Sequence, residues 1–305
     1  GYAREGFGYQ EINQRHLLRA TMALHVSGSG LPAQIRELCK RSFTFYKGIL
    51  QNNGHYPLVG DCGPSRLESK YVWHQASAFF RLPSIKYLSP VEQSPAVMES
   101  ICWEIGLKGI QWWEAQQRPA VDELVQKPCD LRNSGFQIFG YGKGPRAHYG
   151  MLNYELSHNH AHHDVGSINI SAYGRALISD PGKATYTQPA YVKECSERTH
   201  SLSCLIRRNP LGPRIDDRSY CKTLYVEHGK RYQASAMEHR LYENHTYRRS
   251  MIAVPTGAPA VDGVPDVVWF VYDQIKRSKA WPKNSTDPFE LVDTYFHFNA
   301  PESDL

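Results

Sequence analysis

The densest group of ligating side chains lies in Ser157-His158-Asn159-His160-Ala161-His162-His163-Asp164-Val165-Gly166-Ser167, where four His and one Asp fall within seven residues. The run stands directly before an alternating segment, which puts its imidazoles at the entrance to a strand. A Tyr173-Gly174-Arg175 turn then returns the chain through Ala176-Leu177-Ile178 to Asp180-Pro181-Gly182. The resulting hairpin brings Asp180 back to the end where the His run enters. In simple register Asp180 faces about Ile168, so the His loop must fold back to reach it. Imidazole nitrogens and a carboxylate oxygen are ligands that zinc accepts at about 2.0 to 2.2 Å, with a fourth position left open. His200, in Glu197-Arg198-Thr199-His200-Ser201-Leu202 ahead of another strand, offers a further nitrogen. One isolated His is more often a hydrogen-bonding residue of a polar loop, but a cluster this dense favours a metal. His158 and His163 read as structural. Asp164 reads as a loop brace that accepts hydrogen bonds from backbone amides.

The elements that position these groups divide into two kinds. Residues 10 to about 127 read as helical, with apolar side chains three and four apart: Ile12, Leu17, Leu18, Met22 and Leu24, then Ile35, Leu38, Phe43, Tyr46 and Ile49, and later Ile110 and Trp113. Gly and Pro punctuate them at 27–32 and 54–64, which predicts helix pairs joined by irregular loops. From about Asp130 the pattern changes to short runs such as 136–139, 167–171, 202–206 and 267–272, which read as strands. Helices first and strands afterwards predict an α+β chain: a helical domain over 1–127, then an antiparallel β-sheet domain over 128–305 that carries the His/Asp cluster. The expected junction lies near Arg118 to Arg132, where Pro119 and Pro128 flank a charged stretch.

Composition bounds the function. With 305 residues, 41% of them hydrophobic, the chain can bury one large core or two moderate ones. No apolar run approaches the roughly 18 to 20 residues of a membrane span. The net charge of +5 suits a polyanionic ligand but lacks the dense basic stripes of a nucleic-acid binder. Seven Cys without a C-x-x-C pair argue against a zinc ribbon, a thioredoxin-like motif or a dense disulfide framework. Triplets at Asn169, Asn244 and Asn284 would permit glycosylation on a eukaryotic secretory route.

The segment His160-Ala161-His162-His163-Asp164-Val165-Gly166-Ser167, followed by Gly174, Asp180-Pro181-Gly182 and Tyr186, resembles the H-x-H-x-D-x-x-S…G…D-x-G…Y block of the heparinase II/III polysaccharide lyases, which include oligoalginate-lyase-type members. Arg198-Thr199-His200, Val268-Trp269-Phe270-Val271-Tyr272-Asp273 and Thr294-Tyr295-Phe296-His297-Phe298 extend the resemblance over most of the β-half. In the helical half, Gly1 to Tyr9 is similar to a D-G-x-x-x-E-x-x-x-Y segment whose Tyr is catalytic in that family. The resemblance implies that the helical part is the C-terminal portion of an (α/α) toroid, preceded in family members by a helix whose Asn or His faces the substrate carboxylate.

What the resemblance implies chemically is β-elimination in an acidic polysaccharide. Removing the C5 proton of a uronic acid loads further negative charge on the adjacent carboxylate, so a donor, a base and an acid for the departing O4 are all needed. Tyr9 is then the proton carrier at the glycosidic oxygen, and His160 is the second acid/base group or a carboxylate partner. The metal ligands carry over onto His162, Asp180 and His200, with a zinc ion whose part is structural, because elimination consumes no water. Asn159, Tyr186 and Tyr191 are the expected sugar contacts. A secreted or periplasmic location follows from the same resemblance. Two other readings use the same residues: a zinc-dependent hydrolase, which the lack of an H-E-x-x-H helix disfavours, and a non-catalytic glycan-binding domain with a structural metal site.

Overall fold

A computed structural model describes residues 7–51, 55–63, 72–86, 106, 108–116, 126–154, 162–190, 193, 195–205, 221–241, 245–257, 266–277, 292–294 and 296. Helices come first: α1 (Phe7–Val26), α2 (Ala33–Ile49), α3 (Val72–Phe80) and the single turn α4 (Pro83–Lys86), with a further helical stretch over 108–114. Strands follow. β1 (Cys129–Leu131), β2 (Phe136–Tyr141), β3 (His148–Asn153), β4 (Ile168–Ala172) and β5 (Arg175–Ile178) form one antiparallel sheet in chain order. After the short β6 (Ser203–Leu205) come β7 (Cys221–His228), β8 (Gln233–His239), β9 (His245–Pro255) and β10 (Val267–Arg277), a second antiparallel meander. β11 (Val292–Thr294) pairs with β6. The order of helices and then antiparallel strands is the expected α+β arrangement, while the expected junction falls largely outside the described residues.

The first sheet is the middle layer. Phe136, Ile138, Tyr149 and Met151 on one of its faces join a core with Phe7, Phe43, Tyr46 and Trp73 of the helices. On the opposite face Phe139, Leu152, Ile168 and Ile170 meet Met237, Tyr247 and Met251 of the second sheet. The central strands are covered on both faces, so β3 and β4 are buried at every position instead of alternating. Gly150 permits the close approach of the second sheet: a Cβ there would lie 2.5 Å from the Trp269 ring. β9 and the outer β10 do alternate, as strands with one wet face should.

Helix α1 departs from the sequence expectation. Ile12 and Leu24 are exposed, and the buried face is Phe7, Gln10, Glu11, Gln14, Leu18, Thr21 and Met22. Polar side chains lie inside because they find partners: the Gln14 amide donates to the Ser42 carbonyl, and Thr21 Oγ1 donates to the Leu17 carbonyl at 2.7 Å. Ile35 and Leu38 of α2 are exposed as well. Asn169 also differs from expectation. It is buried within β4, where its side-chain oxygen accepts the Asp180 amide at 3.0 Å, so its triplet offers no glycosylation surface.

A buried guanidinium fastens the second sheet to the loops of the first. Arg249 has no exposed surface and donates to both oxygens of Asp273 on β10, each at 2.7 Å. Its Nη1 donates to the carbonyls of Gly166 at 2.6 Å and Ser201 at 2.8 Å. Burial works to raise the Asp273 carboxyl, but Arg249, with Ser203 and Tyr247 also donating, outweighs it and holds the group below its ordinary 3.8. Asp273→Asn should therefore cost about 3–5 kcal/mol in urea unfolding, since it strands a buried charge. Because the folded carboxyl is depressed, this contribution is complete above pH 3.8 and is lost as pH falls through the lower folded value. A variant within 1 kcal/mol of the parent, on the order of an ordinary surface change, would show that the pair does not hold the sheets.

Candidate metal centre and its surroundings

The β4–β5 hairpin turns through Tyr173 and Gly174, both at positive φ, with Ala172 facing Arg175. A bulge between Ile170 and Ser171 then shifts the register so that Ile170 faces Ile178. Continued by two residues, that register sets Asp180 beside Ile168. The loop ahead of β4 folds back over this end. Its backbone is strapped by Gly166 N–H to the Asn153 carbonyl at 2.7 Å, Ser167 N–H to the Asp164 carbonyl at 2.9 Å and His163 N–H to the Cys195 carbonyl at 2.9 Å. A short 3-10 turn at Glu197–Thr199 delivers His200 from the other side.

These three pieces converge on one point. His162, Asp180 and His200 are all buried, and one donor atom from each lies within 4.8 Å of the other two. His200 Nδ1 is 2.6 Å from Asp180 Oδ2. Burial lowers the His162 pKa, and neighbouring His200 lowers it further against the opposing pull of Asp180 and Asp61. The imidazole is thus held neutral, the form that binds a cation. Two nitrogens and one carboxylate oxygen fit a divalent ion of borderline softness, so the donor set suits the expected metal.

One participant was not anticipated from sequence. Asp61, in the helical half, places Oδ1 3.0 Å from His162 Nε2, with neither side chain exposed. It is the carboxylate that orients the imidazole. Asp164 behaves as expected of a brace: its Oδ2 accepts the Gly60 N–H at 3.3 Å, and burial raises its carboxyl to about 7. Gly182, at φ +60°, lies so close to this turn that a Cβ would stand 2.2 Å from the Cys62 carbonyl oxygen.

Tyr9 follows Phe7 and Gly8, whose amides donate to Cys62 Sγ of the same turn. Its hydroxyl is 2.6 Å from that of Tyr186, which follows the hairpin, and the Lys183 ammonium sits 3.6 Å from the Tyr186 ring centroid. The Tyr186 hydrogen bond, with some burial, pushes the Tyr9 pKa up to about 12. Tyr9 and Tyr186, far apart in sequence, are thus in contact. Asn159, His160 and Tyr191 fall outside the described residues, so the expected approach of Tyr9 to His160 is neither met nor refused.

No family model and no curated protein matches the sequence. The fold has solved counterparts. Heparinase III, the BT4657 gene product, superposes with a TM-score of 0.63 at 17% identity, over 88% of this chain and 37% of its own. The heparan sulfate lyase HepC from Pedobacter heparinus superposes at 0.57 with 18% identity, over 82% of this chain and 36% of its own. The chain therefore has the fold of a portion of these lyases and spans a little over a third of their length.

If the trio is a metal site, the protein should take up about one divalent ion per chain, and the ion should raise the melting temperature because site formation is coupled to folding. His162→Ala should abolish uptake. Elemental analysis showing equal metal in the parent and this variant would exclude the assignment.

Proposed function

We propose that this chain is part of a polysaccharide lyase that cleaves a uronic-acid-containing acidic glycan, of the heparan sulfate kind or a related uronate polymer, by β-elimination. The observation that carries the reading is the Tyr9–Tyr186 contact, which sets a helical-half phenol against the loop leaving the metal hairpin. Both rings remain accessible to a polymer, with a lysine beside them. Exposed apolar residues on α1 and α2 fit a helical layer continued by further helices, in keeping with a toroid, and 1–127 and 128–305 are then its C-terminal part and the β-domain. No helix among the described residues is long and apolar enough to cross a membrane; a secreted or periplasmic location is the one that goes with a lyase of this kind.

In this mechanism a base removes the C5 proton, its electron pair becomes the C4–C5 double bond, and the C4–O bond breaks. The departing oxygen takes a proton from Tyr9. A phenol with a pKa near 12 is fully protonated at neutral pH, which suits the acid role, and Tyr186 lies at hydrogen-bond distance to restore the proton. His160 serves as the second acid/base group or as the carboxylate partner. Asn159, Tyr186 and Tyr191 contact sugar hydroxyls, and the Lys183 cation favours an anionic chain. Zinc, held by His162, Asp180 and His200, supplies structural cross-linking of the loops rather than an activated water.

Incubation with uronate polymers should generate the ultraviolet absorbance of a conjugated C4–C5 double bond. New reducing ends without that absorbance would instead indicate a hydrolase, and binding without cleavage a glycan-binding domain. Tyr9→Phe should lower turnover by roughly 100-fold or more with little change in substrate binding. Tyr186→Phe should move any basic limb due to Tyr9 downward from about 12, since it removes the hydrogen bond that raises that group. An unshifted limb would disconnect the two phenols.

A further inference from the structure

We propose that the Gly60–Asp61–Cys62 turn is a positioning device linking the metal site to the first turn of α1, so that filling the site sets the location of Tyr9. The inference rests on the reading that His162, Asp180 and His200 hold zinc. Asp61 and Cys62 are consecutive, and they reach in two directions. Asp61 Oδ1 engages His162 Nε2 at 3.0 Å, a contact that fixes the ring's orientation and tautomer. Cys62 Sγ accepts the N–H groups of Phe7 at 2.8 Å and Gly8 at 3.5 Å, at the helix end where amides have no intrahelical acceptor. Burial pushes the Cys62 thiol up to about 11, so it acts as an uncharged acceptor. Tyr9 is the next residue along the helix.

The turn is stiff enough to transmit a displacement. Cys62 N–H closes onto the Gly60 carbonyl at 2.8 Å, with Gly60 at φ +56°, so the two side chains cannot move independently. The β-half grips the same three residues through Gly60 N–H to Asp164 and Lys183 N–H to the Cys62 carbonyl at 2.9 Å. Lys183 precedes Tyr186 by three residues, so both members of the phenol pair follow directly on contacts made at this turn. A second tie on α1, the Tyr46 hydroxyl donating to the Phe7 carbonyl, comes from α2 and bypasses the metal site.

The test uses zinc affinity, by competition with a chelator, and hydrogen exchange at the Phe7 and Gly8 amides. Asp61→Ala should weaken zinc binding by about 10–100-fold, and the near-isosteric Asp61→Asn by less, because the outer carboxylate orients the ligand. Chelating zinc from the parent protein should speed exchange at the start of α1 by roughly tenfold or more, a local opening that leaves the α2 amides unchanged. Tyr46→Phe loosens Phe7 without altering zinc affinity. Zinc affinity within about twofold of the parent in the Asp61 variants, or exchange at Phe7 and Gly8 indifferent to zinc, overturns the coupling alone. Should Asp61→Ala fail to fold, Asp61→Asn and the parent exchange experiment still decide. A parent protein that binds no zinc overturns the metal reading, and the coupling with it.

Discussion

A carboxylate from the helical half and an imidazole from the strand half meet 3.0 Å apart with no exposed surface on either. Asp61 and His162 lie 101 residues apart in the chain, so closing this contact requires both halves to be in place. A buried carboxylate is costly unless it is well bonded. The contact therefore tolerates little drift between helices and sheets. Around it the backbone is equally crowded, since Gly182 at positive φ leaves no room for a side chain against the Cys62 carbonyl. Burial and steric exclusion together define the seam.

The second constraint acts from the far side. Arg249 reaches across from β9 and bonds the carbonyls of Gly166 and Ser201, one in each of the loops that carry His162 and His200. A planar guanidinium can satisfy Asp273 with two donors and still present a third nitrogen in a fixed direction. Lysine has no such geometry. The loops that carry the candidate ligands are thus held by Arg249 on one side and the Asp61 turn on the other, which reduces the ordering a metal would otherwise have to impose.

Sequence made part of this legible. A dense His run, a short hairpin turn and a His ahead of the next strand, all local features, pointed to a metal-binding cluster; that His162, Asp180 and His200 were its members came from the family resemblance, and the structure brings those three together. The bulge at Ile170/Ser171 was not visible, although it only adjusts where Asp180 falls. Asp61 carried no signal: one acidic residue in Gly60-Asp61-Cys62-Gly63 reads as an ordinary turn, and its meaning depends wholly on what packs against it. Helix α1 misled for a related reason. Its apolar spacing suggested Ile12 and Leu24 as core, whereas the buried face is stitched by Gln14 and Thr21 hydrogen bonds that no hydrophobic pattern reports. β3 and β4 lack alternation because these central strands are covered on both faces.

The arrangement also bears on which chemistry the metal trio can support. A hydrolytic zinc needs an open coordination position that water and the scissile bond can both reach. Here the side chains of His162, Asp180 and His200 are entirely buried, roofed by the Asp61 turn on one side and strapped loops on the other. The accessible polar groups are instead the phenols of Tyr9 and Tyr186, with Lys183 next to them. Phenols move protons and a lysine favours an anionic substrate, which are needs of an elimination. Bulk water would not have to enter the buried centre at any step. The separation of a closed, rigid centre from an open, protic surface is what supports the proposed elimination over a metallohydrolase built from the same residues.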